Sequence, residues 1–249
     1  MKSQIYVFIM ALLPLVGDVI KAQPKLSIDM GIGFYEPTLV GFDENETVQF
    51  PTKSIFNRNM LFNWGIYYEF FNNARIGYNS FTSYEIGKNI LLINSEAVFR
   101  RSLTYRIFPI ETFFRLKPKI ELNFTLAPIW GRARIEMDTT PGDKTDDWNY
   151  FITSFGGSEN PVSDMGATDV MISDWIGYSS LLGFRYYINT RLGVDVKAGF
   201  MNNQYKASEW RIQRQKVTGP ELKIDDLPIF SIKIIYGLRS SRSYPQYFF

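Results

Sequence analysis

The chain has 249 residues, 27 basic and 25 acidic, for a formal charge of +2, and it contains neither cysteine nor histidine. Nearly balanced charge with no basic face argues against a nucleic-acid partner, and the missing cysteines exclude disulfide staples and thiolate metal sites. The missing histidines remove Ser-His-Asp hydrolysis and His-ligated zinc or haem, so no cofactor and no metal are expected.

The first residues read as an export leader over 1–22. Lys2 supplies the positive start, Ile5 to Val16 is an apolar run broken only by Pro14, and Ala22 offers a small residue for cleavage before Gln23. That run is too short for a membrane helix, which needs about 20 apolar residues, and no later stretch comes near that length. Residues 23–249 are then expected to form one domain.

In that domain alternation with a period of two recurs eight times, the mark of strands with two unlike faces. Leu26, Ile28, Met30, Ile32 and Phe34 share one face in the first segment, opposite Ser27, Asp29, Gly31 and Gly33. The second sets Phe62, Trp64, Ile66, Tyr68 and Phe70 against Asn63, Gly65, Tyr67 and Glu69. The third is weaker, with Ile76, Tyr78, Tyr84 and Ile86 against Arg75, Gly77, Asn79 and Glu85. In the fourth, Val98 to Ile107, the apolar set is Phe99, Leu103, Tyr105 and Ile107, which leaves Arg100, Ser102, Thr104 and Arg106 on the polar face.

The fifth is the cleanest, Ile120, Leu122, Phe124 and Leu126 alternating with Lys119, Glu121, Asn123 and Thr125. The sixth opposes Ile176, Tyr178, Leu182, Phe184 and Tyr186 to Gly177, Ser179, Gly183 and Arg185. The seventh opposes Leu192, Val194, Val196 and Phe200 to Gly193, Asp195, Lys197 and Gly199. The eighth opposes Phe230, Ile232, Ile234 and Tyr236 to Ser231, Lys233 and Gly237. No comparable segment carries a helical stripe.

Connections alternate between long and short. Glu36 to Arg58, Gly87 to Ser95, Asp138 to Asp169 and Asn202 to Leu227 are long, whereas Asn72-Asn73 and Asn189-Thr190 are tight-turn pairs. Phe108 to Pro118 is the exception, longer than a tight turn. The expected fold is therefore all-β: an eight-stranded antiparallel up-and-down transmembrane β-barrel with four long extracellular loops and both termini on the periplasmic side. A soluble barrel would turn its apolar face inward, but the 16% aromatic content and the loop asymmetry favour apolar-outward placement in a bacterial outer membrane. Two irregularities stand out. Arg101 falls on the lipid face by parity, suggesting snorkelling or a bulge, and a phase change after Pro128 suggests a bulge at the rim.

Leader, alternating strands, loop asymmetry and the terminal Tyr247-Phe248-Phe249 together resemble the small outer-membrane β-barrel family that includes OmpX-like proteins and the OmpA barrel domain. The resemblance covers nearly all of the chain after the leader and implies the fold far more than the task. That family usually ends its last strand on the terminal aromatic; here Arg239 to Gln246 intervene, so either the strand is longer or the end is a tail.

Two groups of residues are candidate sites. By parity Asp29, Glu69, Glu85, Glu121 and Asp195 face Arg75, Arg100, Arg106, Lys119, Arg185, Lys197 and Lys233 across the lumen. Such charges must pair in a narrow interior, either as a permanent plug or as pairs that exchange in a gated pore. The second group comprises Trp148, Tyr150, Phe151 and Phe155 in the third long loop and Trp210, Arg211 and Arg214 in the fourth. The aromatics either pack locally, bind a partner or touch lipid headgroups, and the fourth loop's basic residues could meet lipopolysaccharide phosphates. Expected partners are outer-membrane lipid and lipopolysaccharide, and an outer-membrane or host-surface protein. The expected task is a non-enzymatic surface-binding or structural component of the envelope, alone or within a larger assembly. The alternative is a narrow porin-like channel for ions or very small solutes, with an atypical lipid-modifying enzyme behind both.

Overall fold

A computed structural model describes residues 24–35, 38–40, 60–88, 98–117, 119–138, 144–156, 162, 170–189, 191–224 and 227–240. The expected leader over 1–22 and the terminal aromatics lie outside these residues. The strands are β1 (Pro24–Tyr35), β2 (Thr38–Val40), β3 (Met60–Phe71), β4 (Ala74–Lys88), β5 (Val98–Ile107), β6 (Ile110–Lys117) and β7 (Ile120–Asp138). After helix α1 (Lys144–Thr153) come β8 (Val170–Tyr187), β9 (Leu192–Asn203), β10 (Trp210–Ile212), β11 (Gln215–Val217), β12 (Glu221–Lys223) and β13 (Leu227–Ser240).

Each long strand pairs antiparallel with its neighbour in sequence, and β13 returns to pair with both β9 and β1, which closes the ring. Closure leaves the barrel without an unpaired edge, so its backbone donors and acceptors are satisfied by their neighbours. β5 and β6 act as one stave. β4 and β7 flank both of them, and side chains at odd positions from Leu103 to Arg115 turn inward without a change of phase. The eight staves are therefore β1, β3, β4, β5–β6, β7, β8, β9 and β13.

This corrects the reading of Phe108 to Pro118 as a long connection. Pro109 cannot donate a ladder bond and looks like a break in sequence, yet its carbonyl still accepts from the Gly77 N–H at 2.9 Å. The Phe108 N–H likewise donates to the Pro128 carbonyl at 3.1 Å. The stave runs on to Lys117, so all three connections between staves at the turn end are short, and the loop asymmetry has no exception.

Neither expected bulge is present. The ladders of β5 with β4 and β7 hold register throughout, and β7 pairs with β8 from Ile120 to Glu136 without a shift. Instead the chemistry of the interior changes with height. Next to the turns it is polar; towards the long loops Tyr35, Leu61, Phe81, Tyr105, Ile107, Ala127, Ile129 and Leu181 fill it. The phase change after Pro128 is thus a change in what the lumen contains, since Ala127, Ile129, Ala133 and Ile135 point inward and Pro128 points out.

The same two-tier interior inverts the reading of the fourth segment. Tyr105 and Ile107 are buried inside, and Arg106 lies outside, over the Trp130 ring at 5.9 Å. Elsewhere the described members of the outward sets hold: Met30, Phe62, Trp64, Ile176, Leu182, Phe200 and Ile234 are all exposed apolar side chains on the outer surface; Tyr84 and Ile86 lie outside the described side chains. A continuous belt of this kind is stable only against lipid.

Candidate functional site

The lower lumen brings together four carboxylates and four cations, all nearly inaccessible: Asp29, Glu111, Glu121 and Asp195 with Arg75, Arg185, Lys197 and Lys233. Glu111, inward on β6, is the hub. Its carboxylate meets Arg75 Nε at 2.6 Å, Arg185 Nη2 at 3.2 Å and Lys197 Nζ, and accepts a hydrogen bond from Thr125 Oγ1 at 3.1 Å. Arg75 also reaches Glu121. Arg185 bridges to Asp195 at 3.1 Å, and Asn123 donates to the other Asp195 oxygen at 3.0 Å.

One layer away, Lys233 Nζ sits 3.2 Å from Asp29 and 3.3 Å from Asn79 Oδ1, while Asn79 donates to the Tyr67 hydroxyl at 2.7 Å. Nearer the turns Arg115 lies 3.8 Å from Glu69. Inward glycines make the room; at Gly183 an added Cβ would collide with Asn123 and with the Lys197 stem. The four-to-four balance matters because an unpaired ion here costs several kcal/mol, whereas paired ions lose much less.

Of the luminal residues expected from sequence, Asp29, Glu69, Arg75, Glu121, Arg185, Asp195, Lys197 and Lys233 are gathered here. Glu85 and Arg100, and with them Arg101, have side chains outside the described set. Arg106 does not join, because its stave has the opposite phase from the one expected, and Lys119 is exposed in the turn before β7. Glu111 and Arg115 are not among the expected residues, because their stretch, between Pro109 and Pro118, reads in sequence as a connection. The alternation Glu111, Phe113, Arg115 against Ile110, Thr112, Phe114 was the available signal.

At the other end the loops fold back over the mouth. Trp148 and Ile152 of α1 are fully buried and Phe151 nearly so, a spacing that makes a short helical stripe, with Phe155 edge-on to Phe151 at 4.9 Å between ring centres. The Asn149 amide clamps Val162, donating to its carbonyl and accepting from its N–H, both at 3.0 Å. Trp210 is buried and donates to the Tyr205 hydroxyl at 2.6 Å. Buried Ile224 offers its carbonyl to Tyr35 Oη at 2.9 Å and to Asn203 Nδ2 at 3.1 Å.

Most of the loop aromatics therefore pack inward, and Tyr150, Arg211 and Arg214 remain exposed. Arg214 and Gln213 hold positive φ of 67° and 48° at the tip of the β10–β11 hairpin, the conformation of a tight two-residue turn. Replacing Asn149 by alanine should free Val162. We expect limited proteolysis to cut the third loop faster while the folded barrel band on an unboiled gel is unchanged.

No family model matches the sequence, and no curated protein matches it. Among solved structures, the outer membrane protein OprG from Pseudomonas aeruginosa is similar at 12% identity, over 88% of this chain and 99% of that one, with a TM-score of 0.46. Ail, the attachment invasion locus protein of Yersinia pestis, is similar at 11% identity, over 86% and 97%, with a TM-score of 0.42. Neisserial surface protein A is similar at 10% identity over the same shares, with a TM-score of 0.42. The chain's own closed ring of staves, outward apolar belt and inward charges establish the architecture. It is an eight-stranded antiparallel up-and-down transmembrane β-barrel, built like the small barrels of bacterial outer membranes.

Proposed function

We propose that this protein is a non-enzymatic component of the outer membrane whose barrel is a closed, rigid mount for its loop end. The filled lumen carries this reading: a balanced charge network lies under an apolar tier, and α1 packs over both. Eight staves leave room for side chains and little else, so a path for ions would require the pairs around Glu111 and the ring of Tyr35, Tyr105 and Trp175 to part together. Over such a mount, Tyr150, Arg211, Arg214 and Lys216 are among the exposed groups a surface or envelope partner would meet.

Purified protein should run faster unboiled than boiled on a denaturing gel, and should stay silent in a planar bilayer at 1 M salt, about 3 Å of Debye screening. Regular conductance steps from the folded form would instead establish the narrow-channel alternative. Crosslinking in intact cells would then identify what the loop end binds.

A further inference from the structure

Among the described side chains, charge on the outer surface of the barrel between its rims lies on one side. Among the described outward side chains of the staves between the two rims, β1, β3, β4, β9 and β13 carry none that is charged. The adjacent β5, β7 and β8 carry Arg106, Arg132, Arg134, Glu136 and Asp174, and β10, which pairs antiparallel with the upper part of β8, adds Arg211. All four cations are arginines.

Register places them in rows. Arg106 stands beside Trp130, Arg132 beside Asp174, and Arg134 beside Ile172, which in turn pairs with Arg211. Below the first row, β7 presents Ile120, Leu122, Phe124, Leu126 and Pro128 outward. From Ile120 to Trp130 is roughly 34 Å of strand, or about 25 Å of height at barrel tilt, the thickness of the apolar band of an outer membrane. Trp130, Phe108 and Tyr178, all exposed, therefore mark the upper boundary, and the arginines rise through the following turn of height, where headgroup phosphates lie.

These side chains are also held in place. Asp174 accepts from Arg132 Nε at 2.7 Å, from Arg132 Nη2 at 3.3 Å and from Trp130 Nε1 at 3.3 Å, and lies 3.7 Å from Arg211. Glu136 lies 2.7 Å from Arg134. Among the described residues, two acids against four arginines leave an excess of two positive charges on a face that is otherwise apolar below. Arginine, with its planar fork of donors, is the side chain suited to phosphate oxygens.

The geometry points to a binding surface on the β5–β7–β8 side for phosphorylated glycolipid of the outer leaflet, taken from the membrane around the barrel. This rests on the outer-membrane reading above and adds which face of the barrel is used and which lipid chemistry it takes. The acyl chains would lie along Phe124, Leu126 and Ile176, and the phosphates against Arg132, Arg134 and Arg211.

The test reconstitutes the full chain in phosphatidylcholine nanodiscs containing 10 mol% lipid A and reads lipid adducts by native mass spectrometry after release. Wild type should retain lipid A over phosphatidylcholine, and Arg132→Gln/Arg134→Gln/Arg211→Gln should lose that preference at least tenfold. Arg191→Gln, exposed at the turn end, should behave as wild type. Should the triple variant not fold, Arg211→Gln alone, together with wild type on lipid A stripped of phosphate, gives the same readings. Equal retention by wild type and variant, or no preference for phosphorylated over stripped lipid, would overturn the surface. So would saturation of these arginines by a soluble sulfated oligosaccharide with no retention of lipid A. A barrel that folds, inserts and shows no lipid preference defeats this inference alone; a chain that fails to insert or to shift on unboiled gels defeats the membrane reading itself.

Discussion

Glu111→Gln should destabilise the folded barrel by about 3–5 kcal/mol, the loss seen when one partner of a buried ion pair is removed. The substitution keeps shape and removes one negative charge, leaving Arg75, Arg185 and Lys197 around a neutral amide. Asp29, Glu121 and Asp195 remain, so the buried cluster would hold three carboxylates against four cations. The measurement is the urea midpoint of the folded band, or of intrinsic fluorescence, in a fixed detergent.

A second substitution sharpens this. Adding Lys197→Met restores charge balance, and its stem occupies similar volume. The double variant should recover stability relative to the sum of the singles, with a coupling of about 0.5–3 kcal/mol. Strict additivity would mean that Glu111 and Lys197 do not interact as the geometry says.

Trp175→Ala should cost about 3–5 kcal/mol through the apolar tier, the usual range for emptying a buried aromatic site. Trp175 packs edge-on to Tyr105 with centroids at 6.0 Å and to Tyr205 at 5.3 Å, and its Nε1–H donates to Asn203 Oδ1 at 3.0 Å. Its ring also lies against Gly131, where any side chain would collide with it. Asn203 in turn holds Tyr35 and the Ile224 carbonyl, so the loss would propagate into the cover. We expect earlier unfolding and faster proteolysis of the fourth loop.

The same variant has a signature in pH. Burial pushes the Tyr205 phenol, in the loop above β9, up to about 12. A raised acid favours the folded form while the phenol is neutral. Its contribution is therefore complete below the ordinary phenol range and is lost as pH rises through about 12. With Trp175 gone, water reaches Tyr205 and its titration should move back down. Ultraviolet difference titration, with Tyr205→Phe as the blank, reads this directly.

Much of this protein is legible in its sequence. Strict alternation in segments such as Ile120 to Leu126 and Leu192 to Phe200 determines strands with one apolar and one polar face, because side chains on a pleated strand alternate sides. Eight such segments, joined mostly by alternating long and tight connections, determine an up-and-down barrel, and the sign of every face but the fourth segment's follows from the apolar belt. Eight of the luminal charges followed from parity alone.

Parity says which residues share a face, but not what that face meets at each height. Tyr105 and Ile107 read as lipid-facing in sequence, because the apolar face of an alternating strand is expected outward; only the closed ring shows that the upper interior is itself apolar. Pro109 reads locally as a stop, and only the flanking ladders of β4 and β7 carry the stave past it and bring Glu111 to the centre of the lumen. Which charges pair is likewise a matter of tertiary structure. Glu111 meets Lys197 across 86 residues of chain, and Lys233 meets Asp29 across 204. Local pattern sets strand and face; pairing needs the stagger of all eight staves, which exists only once the barrel has closed.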